Sequence, residues 1–277
     1  QDGSTRIVWE WDVLDHIVQD VYPDRPNYGK PSDHPGKIDV NYVGKSTTFI
    51  PGSVFHFNAI SYNEERDQIL VSNFGTNEVF IIDHSTSVTE ARSDQGGASG
   101  KGGDLIYRWG NPHAYGMAGI ESRQLFKQHD AAWIPQGIPG KGDISVFNNG
   151  VNREPAHTAY IEIKLPQFSD SNYQRAVNAP FGPPSPAYEF SAFAGDEPEV
   201  FFAPFMSGAR RLPNGNIFGN SGIVSGIFEV TDEGEEVLRT VPRSRSTFYR
   251  AYKFPKDYSA FENRDLIPLA TGWSIPR

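Results

Sequence analysis

The chain contains no cysteine among its 277 residues. Thiol nucleophiles, thiolate metal sites and disulfide bonds are therefore excluded together. This absence does not fix the compartment, because a β domain of this size needs no disulfide either in the cytosol or outside the cell. The chain also lacks an apolar run near the roughly 20 residues that a membrane helix requires. No membrane span is predicted.

Motifs of several large enzyme classes are missing as well. The sequence holds no GxSxG, HExxH, P-loop or dinucleotide fingerprint. No D-x-[DN]-x-[DN]-G loop occurs, so a structural calcium ion has no motif in its favour, and neither a cofactor nor a metal is predicted. The net charge of −9 argues against a nucleic-acid partner, because that binding requires basic groups against phosphate. Gln1–Ser4 lacks the basic start and apolar stretch of a signal peptide, so a mature, processed or truncated product is expected.

The composition that is present favours a β protein. Gly 27 and Pro 21 suit many short strands joined by turns, and 38% hydrophobic with 13% aromatic residues supply a core. Three segments resemble one another: VFHFNAIS, QHDAAWIP and MSGARRLP, which align His56 with His129 and Ser207. Each precedes a strand-like run, namely DQILVSNF, GDISVFNNG and GNIFGNSG. In an extended strand the side chains of His56 and Asn58 would point the same way.

Four strands can be traced in each of three units that follow one another along the chain. This pattern predicts an all-β protein, a β-propeller of four-stranded antiparallel blades, with about 3.5–4 blades in one domain over 1–277. The units are longer than the typical blade of about 40–50 residues, and loops at 85–103 and 166–184 account for the excess. A β-sandwich is the structural alternative. Residues 13–52 are predicted to form a long loop with a helical turn within Val13–Val21.

Two further segments bear on the number of blades. Ile7–Asp12 is predicted to be an outer strand, and Thr247–Phe254 is predicted to be an inner strand. Together they could complete a fourth blade, or blades that precede this sequence could be missing.

A set of motifs resembles the arylsulfotransferase family, in particular its secreted bacterial branch. They are HFNAISYNEERDQILVS, IIDHST, GKGGDLIYRWGNP, QHDAAWIP, FNNG and SGARRLPNGN. The resemblance implies a six-bladed propeller of which this chain is the C-terminal two-thirds, and a secreted or periplasmic location. It also implies transfer of a sulfuryl group from a phenolic sulfate to a phenol through a histidine. Neutral imidazole is a nucleophile near neutral pH, and sulfate needs cationic or N–H donors.

The resemblance carries over to particular residues of this chain. His56 and Asn58 match the HxNA strand of the family, and His129 matches the histidine of its QH strand. These two histidines are the candidate catalytic residues. Candidate ligands of the sulfate or phenol lie in or near the repeated segments: Asn58, Asn149, Arg153, Ser207, Arg211 and Arg250. Among them Arg153 is the expected anion clamp.

The sequence also departs from the family pattern, because no histidine follows His157. If the family's sulfuryl-accepting histidine belongs to a late blade, this chain lacks it. Either His56 or His129 is then the nucleophile, or the site binds an anion without turnover. Two other uses stay open. One is a propeller enzyme that acts on polysaccharide, and the other is an extracellular structural or assembly module, with self-assembly or dimerisation through loops at 13–52, 85–103 and 166–184.

Overall fold

A computed structural model of the protein describes residues 5–44, 55–191, 202–223, 226–240 and 247–264. Strands dominate this part of the chain, and the two α-helices are short. The helices are α1 (Val40–Gly44) and α2 (Val88–Ala91). The strands are β1 (Ile17–Val18), β2 (Ile38–Asp39), β3 (Phe57–Asn63), β4 (Gln68–Asn73), β5 (Glu78–Asp83), β6 (Tyr107–Trp109), β7 (His129–Trp133), β8 (Ile144–Asn148), β9 (Ala159–Ile163), β10 (Phe168–Ser169), β11 (Asn172–Tyr173), β12 (Tyr188–Phe190), β13 (Gly208–Arg211), β14 (Ile217–Ser221), β15 (Gly226–Val230) and β16 (Glu236–Thr240).

Three four-stranded antiparallel sheets form the framework. Their strand orders are β3-β4-β5-β6, β7-β8-β9-β12 and β13-β14-β15-β16. The prediction of an all-β protein built from four-stranded antiparallel units is thereby confirmed. Strand β3 lies beside β7, and β13 lies beside β7 and β8, so the first strands of successive sheets are neighbours.

Apolar side chains fill the spaces between the sheets, as expected when strands are buried on both faces. Leu70 and Ile81 of the first sheet share a cluster with Trp133 and Val146 of the second. A second cluster joins the second and third sheets through residues such as Phe147, Tyr160, Ile217 and Phe228. These two clusters hold the starts of β3, β7 and β13 close together.

The segment before the first sheet packs on that sheet without forming one of its strands. The predicted strand Ile7–Asp12 has no regular structure, so that prediction is wrong. Trp9 and Trp11 instead pack against a cluster formed by Ile38 of β2 and by Val71, Phe80 and Ile82 of the sheet. The Trp9 indole donates to the Thr86 hydroxyl, and the Trp11 indole donates to the Gly103 carbonyl at 2.7 Å. Amphipathic indoles are well suited to such a half-buried position.

The long loops contain local structure. Residues 13–18 form a 3₁₀ turn and β1, which pairs in parallel with β2, and residues 166–184 contain the β10–β11 hairpin. The loop 85–103 looks flexible from its Ser and Gly content, yet α2 begins with a capping box between Ser87 and Glu90. The Asp83 carboxylate at the end of β5 accepts the Ser99 N–H of this loop at 2.8 Å. None of the helices in the described ranges is long and apolar enough to cross a membrane.

The last predicted strand, Thr247–Phe254, is not a strand either. The segment still docks against the third sheet, because Asn220 at the end of β14 holds it from both sides. The Asn220 amide donates to the Phe248 carbonyl at 3.1 Å and accepts the Ala251 N–H at 3.0 Å. This docking carries Arg250 towards the starts of β3 and β7.

Candidate functional site

His129 occupies the first position of β7 and is 5% exposed. The pairing of β7 with β8 shifts between His129 and Ala132, and Asp130 has a left-handed φ of 54°. A bulge of this kind re-aims side chains at the end of a strand. Here it places the His129 Nδ1 atom 2.8 Å from the Asn149 Oδ1 atom.

The orientation of the Asn149 amide is fixed by two backbone carbonyls. Its Nδ2 atom donates to the Ala203 carbonyl at 2.6 Å and to the Met206 carbonyl at 3.1 Å. Since carbonyls only accept, the amide nitrogen must face them and Oδ1 must face the histidine. Nδ1 of His129 therefore donates to Asn149, and in the neutral ring the lone pair lies on Nε2.

Burial keeps the His129 ring neutral. Loss of solvent lowers the pKa of His129 from 6.5 to about 4. The hydrogen bond to Asn149 opposes this shift, and the positive charges of His56 and Arg250 reinforce it. At neutral pH the side chain is thus an uncharged imidazole with a defined tautomer. Such a group serves as a nucleophile or base at Nε2.

This pKa shift predicts a pH-dependent stability. Between pH 6.5 and about 4 the unfolded chain binds a proton at His129 that the folded chain refuses, so stability falls as the pH falls through this window. The contribution is on the order of 3 kcal/mol in free energy of unfolding. Urea unfolding of the parent protein and of His129→Gln at pH 7 and pH 4 measures it. The variant should lose less stability than the parent on acidification; an equal loss in both proteins would contradict the prediction.

His56 lies just before β3 and has a left-handed φ of 45°. The pairing of β3 with β4 also shifts between Phe57 and Ala59. The expectation that His56 and Asn58 lie on one face of a regular extended strand is therefore wrong. A left-handed histidine is strained, and such strain is found at functional sites.

The two histidines nevertheless contact a common side chain, Phe74. The His56 ring stacks on the Phe74 ring with 4.8 Å between centroids, and His129 meets the same ring edge-on at 5.7 Å. Burial, followed by the charge of Lys127, lowers the pKa of His56. The pair inferred from the sequence is thus brought together in the fold.

Asn58 and Arg250 join this pair from opposite ends of the chain. The Asn58 Nδ2 atom donates to the Gln128 carbonyl at 2.8 Å, and Arg250 Nη2 donates to the Asn58 carbonyl at 2.7 Å. Arg250 also forms an ion pair with Asp130 at 2.9 Å. The Asn58 Oδ1 and Arg250 Nε atoms are buried without a protein hydrogen-bond partner. A buried unpaired donor and acceptor at one place are suited to a polar ligand.

Sequence reasoning did not select three residues that contribute to this site: Phe74, Asp130 and Arg210. Arg210 donates to the Asp130 carboxylate at 2.5 Å and to its backbone carbonyl at 3.0 Å. Asp130 adjoins His129 in the sequence, which could have suggested it. Phe74 and Arg210 carry no local signal, since their role depends on contacts between sheets.

Three predicted ligands lie in other surroundings. Arg153 donates to the Glu189 carboxylate at 2.7 Å, and its guanidinium lies 5.8 Å from the centroid of the Phe126 ring. Arg211 is held by Glu162 at 2.5 Å and Asp232 at 3.1 Å. The Ser207 hydroxyl donates to a backbone carbonyl and accepts the Gly222 N–H at 2.9 Å. Of the predicted arginines, Arg250 is therefore the one that lies beside the histidines.

Within the described residues, histidine and acidic side chains do not gather in a group of three that could hold a metal ion. The site is instead a pair of imidazoles that share one phenyl ring, with an amide and a guanidinium beside them. The chain is thus an all-β protein of four-stranded antiparallel sheets, with these polar side chains gathered at the starts of neighbouring strands.

Comparison with known proteins gives the family. The Arylsulfotransferase (ASST) family profile matches residues 2–258, and the chain belongs to this family. No curated protein matches the chain. Among solved structures, a protein of unknown function from Bacteroides caccae matches at 10% identity and a TM-score of 0.35. That match covers 74% of this chain and 54% of the other, so the chain spans about half the length of that protein.

Proposed function

We propose that the three sheets are blades of a β-propeller whose axis runs past the starts of β3, β7 and β13. Support comes from the four-stranded antiparallel order of each sheet and from the contacts between their first strands. In such an arrangement the side chains at the start of each first strand face a common channel. The proposal accounts for the meeting of His56, His129 and Arg250, which are far apart in the sequence.

On this scaffold we propose an arylsulfotransferase activity, in which a sulfuryl group passes from a phenolic sulfate to a phenol through His129. The observation that carries the proposal is the hydrogen bond from His129 Nδ1 to Asn149, whose amide is held by two carbonyls. This hydrogen bond leaves the lone pair of the His129 ring on Nε2, and the ring stays neutral at pH 7. Membership of the arylsulfotransferase family supports the same chemistry.

The reaction divides into two displacements at sulfur. His129 Nε2 attacks the donor sulfate, the N–S bond forms, and the S–O bond breaks with its electron pair on the leaving phenol oxygen. The acceptor phenol then attacks the same sulfur, and the N–S bond pair returns to Nε2. The unpaired Arg250 Nε is placed to donate to a sulfate oxygen, and the Nδ1–H bond to Asn149 stabilises the sulfated, positively charged ring.

The proposed partner is a small phenolic sulfate, and the proposed location is secreted or periplasmic. The resemblance to the secreted branch of the family supports the location. Net charge −9 and the absence of cysteine are compatible with it.

Incubation with 4-nitrophenyl sulfate and a phenol acceptor tests the proposal. We expect release of 4-nitrophenol together with an equal amount of the acceptor's sulfate ester, and mass spectrometry of a quenched sample should find the sulfuryl group on His129. Hydrolysis without acceptor sulfation would indicate a sulfatase. A folded parent protein that releases no 4-nitrophenol would contradict the proposed activity and favour a binding or assembly role.

A further inference from the structure

Lys127 is a buried lysine two residues before His129. It is 7% exposed and has a left-handed φ of 60°, a conformation held because its backbone N–H donates to the Asn77 side chain at 2.8 Å. Its Nζ atom donates to the Phe74 carbonyl at 3.3 Å and lies 4.5 Å from the centroid of the Phe74 ring. The ammonium is therefore placed by the residue that contacts both histidines.

Phe74 thus brings three side chains with proton-transfer chemistry to one place. His56 stacks on its ring, His129 meets its edge and the Lys127 ammonium lies over it. The charged and titratable groups that act on Lys127 or contact the Phe74 ring include His56, His129 and Arg123. A cation over an aromatic face is stabilised, and such a contact fixes the position of the ammonium.

The surroundings also make this lysine ready to exchange a proton. Burial, followed by the positive charge of Arg123, lowers the pKa of Lys127 from 10.5 to about 8. A methionine side chain would fill the space of the Lys127 side chain without the cost of burying a charge, so packing alone does not explain the lysine. Groups with perturbed pKa values beside a candidate site are typical of acid–base catalysis near neutral pH.

We propose that Lys127 is the acid and base for the phenol oxygens, an inference that rests on the proposed sulfuryl transfer. In the first displacement the S–O bond breaks and the Lys127 ammonium gives its proton to the departing phenolate, which leaves as a phenol. Lys127 is then a neutral amine. In the second displacement this amine takes the proton of the acceptor hydroxyl while the acceptor oxygen attacks the sulfur. The ammonium is restored, and no other reactant is needed.

The test compares two donors in single turnovers, phenyl sulfate and 4-nitrophenyl sulfate. The 4-nitrophenolate ion is a stable leaving group that needs no proton, whereas phenolate does. In Lys127→Met we expect phenol release to slow by about a hundredfold, the usual size of a general-acid effect, and 4-nitrophenol release by less than about threefold. Lys127→Arg should behave like Lys127→Met, because a guanidinium keeps its proton at neutral pH. Lys141→Met, at an exposed lysine paired with Glu65, is the control and should match the parent.

Other results would overturn the inference. Equal slowing with both donors, or full activity of Lys127→Arg with phenyl sulfate, would show that only the charge or the packing matters. The parent protein gives a test that needs no variant: phenol release should fall as the pH rises above about 8, while 4-nitrophenol release should not. If a folded parent forms no sulfated His129, the proposed function fails and takes this inference with it. Normal sulfation of His129 with the same pH profile for both donors would overturn only the acid–base role of Lys127.

Discussion

His129→Ala is expected to lower the rate of sulfuryl transfer by at least about a thousandfold and to abolish the sulfated protein. Losses of this size follow when the attacking nucleophile itself is removed. His129 has the requirements for that role, since its Nδ1 atom is committed to Asn149 and burial keeps its ring neutral. The measurement is the single-turnover release of 4-nitrophenol, with mass spectrometry of the quenched protein.

Two further variants make this result specific. His56→Ala removes a ring that stacks on Phe74 but leaves His129 and Asn149 in place, so we expect a reduction of about ten- to a hundredfold with a sulfated protein still formed. His113→Ala changes an exposed histidine in a 3₁₀ turn and should have no effect. Urea unfolding shows whether each variant is folded. If His56→Ala formed no sulfated histidine while His129→Ala stayed active, His56 would be the nucleophile and His129 the supporting residue.

Arg108→Met is expected to lower the free energy of unfolding by about 3–5 kcal/mol, the cost of leaving a buried charge without its partner. Arg108 and Glu78 are both completely buried and form a two-point ion pair, with distances of 2.8 Å and 2.6 Å. Arg108 Nη1 also donates to the Lys37 carbonyl at 2.8 Å, and the guanidinium lies 4.0 Å from the Tyr115 ring centroid. The substitution therefore removes the hydrogen bond to the Lys37 carbonyl and leaves the Glu78 carboxylate without its ion-pair partner.

The control for this prediction is the same substitution at a surface ion pair. Arg239 pairs with Glu236 at the protein surface, and Arg239→Met should change the free energy of unfolding by less than about 1 kcal/mol. The double variant Arg108→Met with Glu78→Leu should recover a large part of the loss, because both charges are then absent. Chemical unfolding at pH 7 gives all three values. A loss below about 1 kcal/mol in Arg108→Met would contradict the prediction.

The sequence predicted the strands inside the sheets better than it predicted which segments lie outside them. Alternating and apolar runs such as QILVSN and EVFIID predicted β4 and β5, because such runs bury both faces of a strand. Two aromatic segments misled the same reasoning. Ile7–Asp12 and Thr247–Phe254 have strand-like composition, yet the first docks through its indole rings, the second through hydrogen bonds to Asn220, and neither joins a ladder. β-propensity describes a surface that fits a sheet and does not supply a neighbouring strand.

The candidate site was only half visible in the sequence. Aligned copies brought His56, Asn58 and His129 to attention, and the family resemblance added Asn149. Arg153 was expected to be the anion clamp, but its Nη2 atom donates to Glu189, and Arg250 is the arginine that lies beside the histidines. Which arginine reaches a site depends on where the chain returns in space, and single-sequence patterns contain no such information.

The sequence by itself determined the chemistry available to this protein: no thiols, two histidines in related segments, several arginines and enough alternating apolar runs for antiparallel sheets. The packing of the sheets decided how those groups act. Bulges at the starts of β3 and β7 direct His56 and His129 to Phe74, and the carbonyls of Ala203 and Met206 orient the Asn149 amide. The tautomer of His129, its low pKa and the placement of Lys127 arise from burial and from contacts between residues distant in sequence. Only the tertiary structure sets these properties.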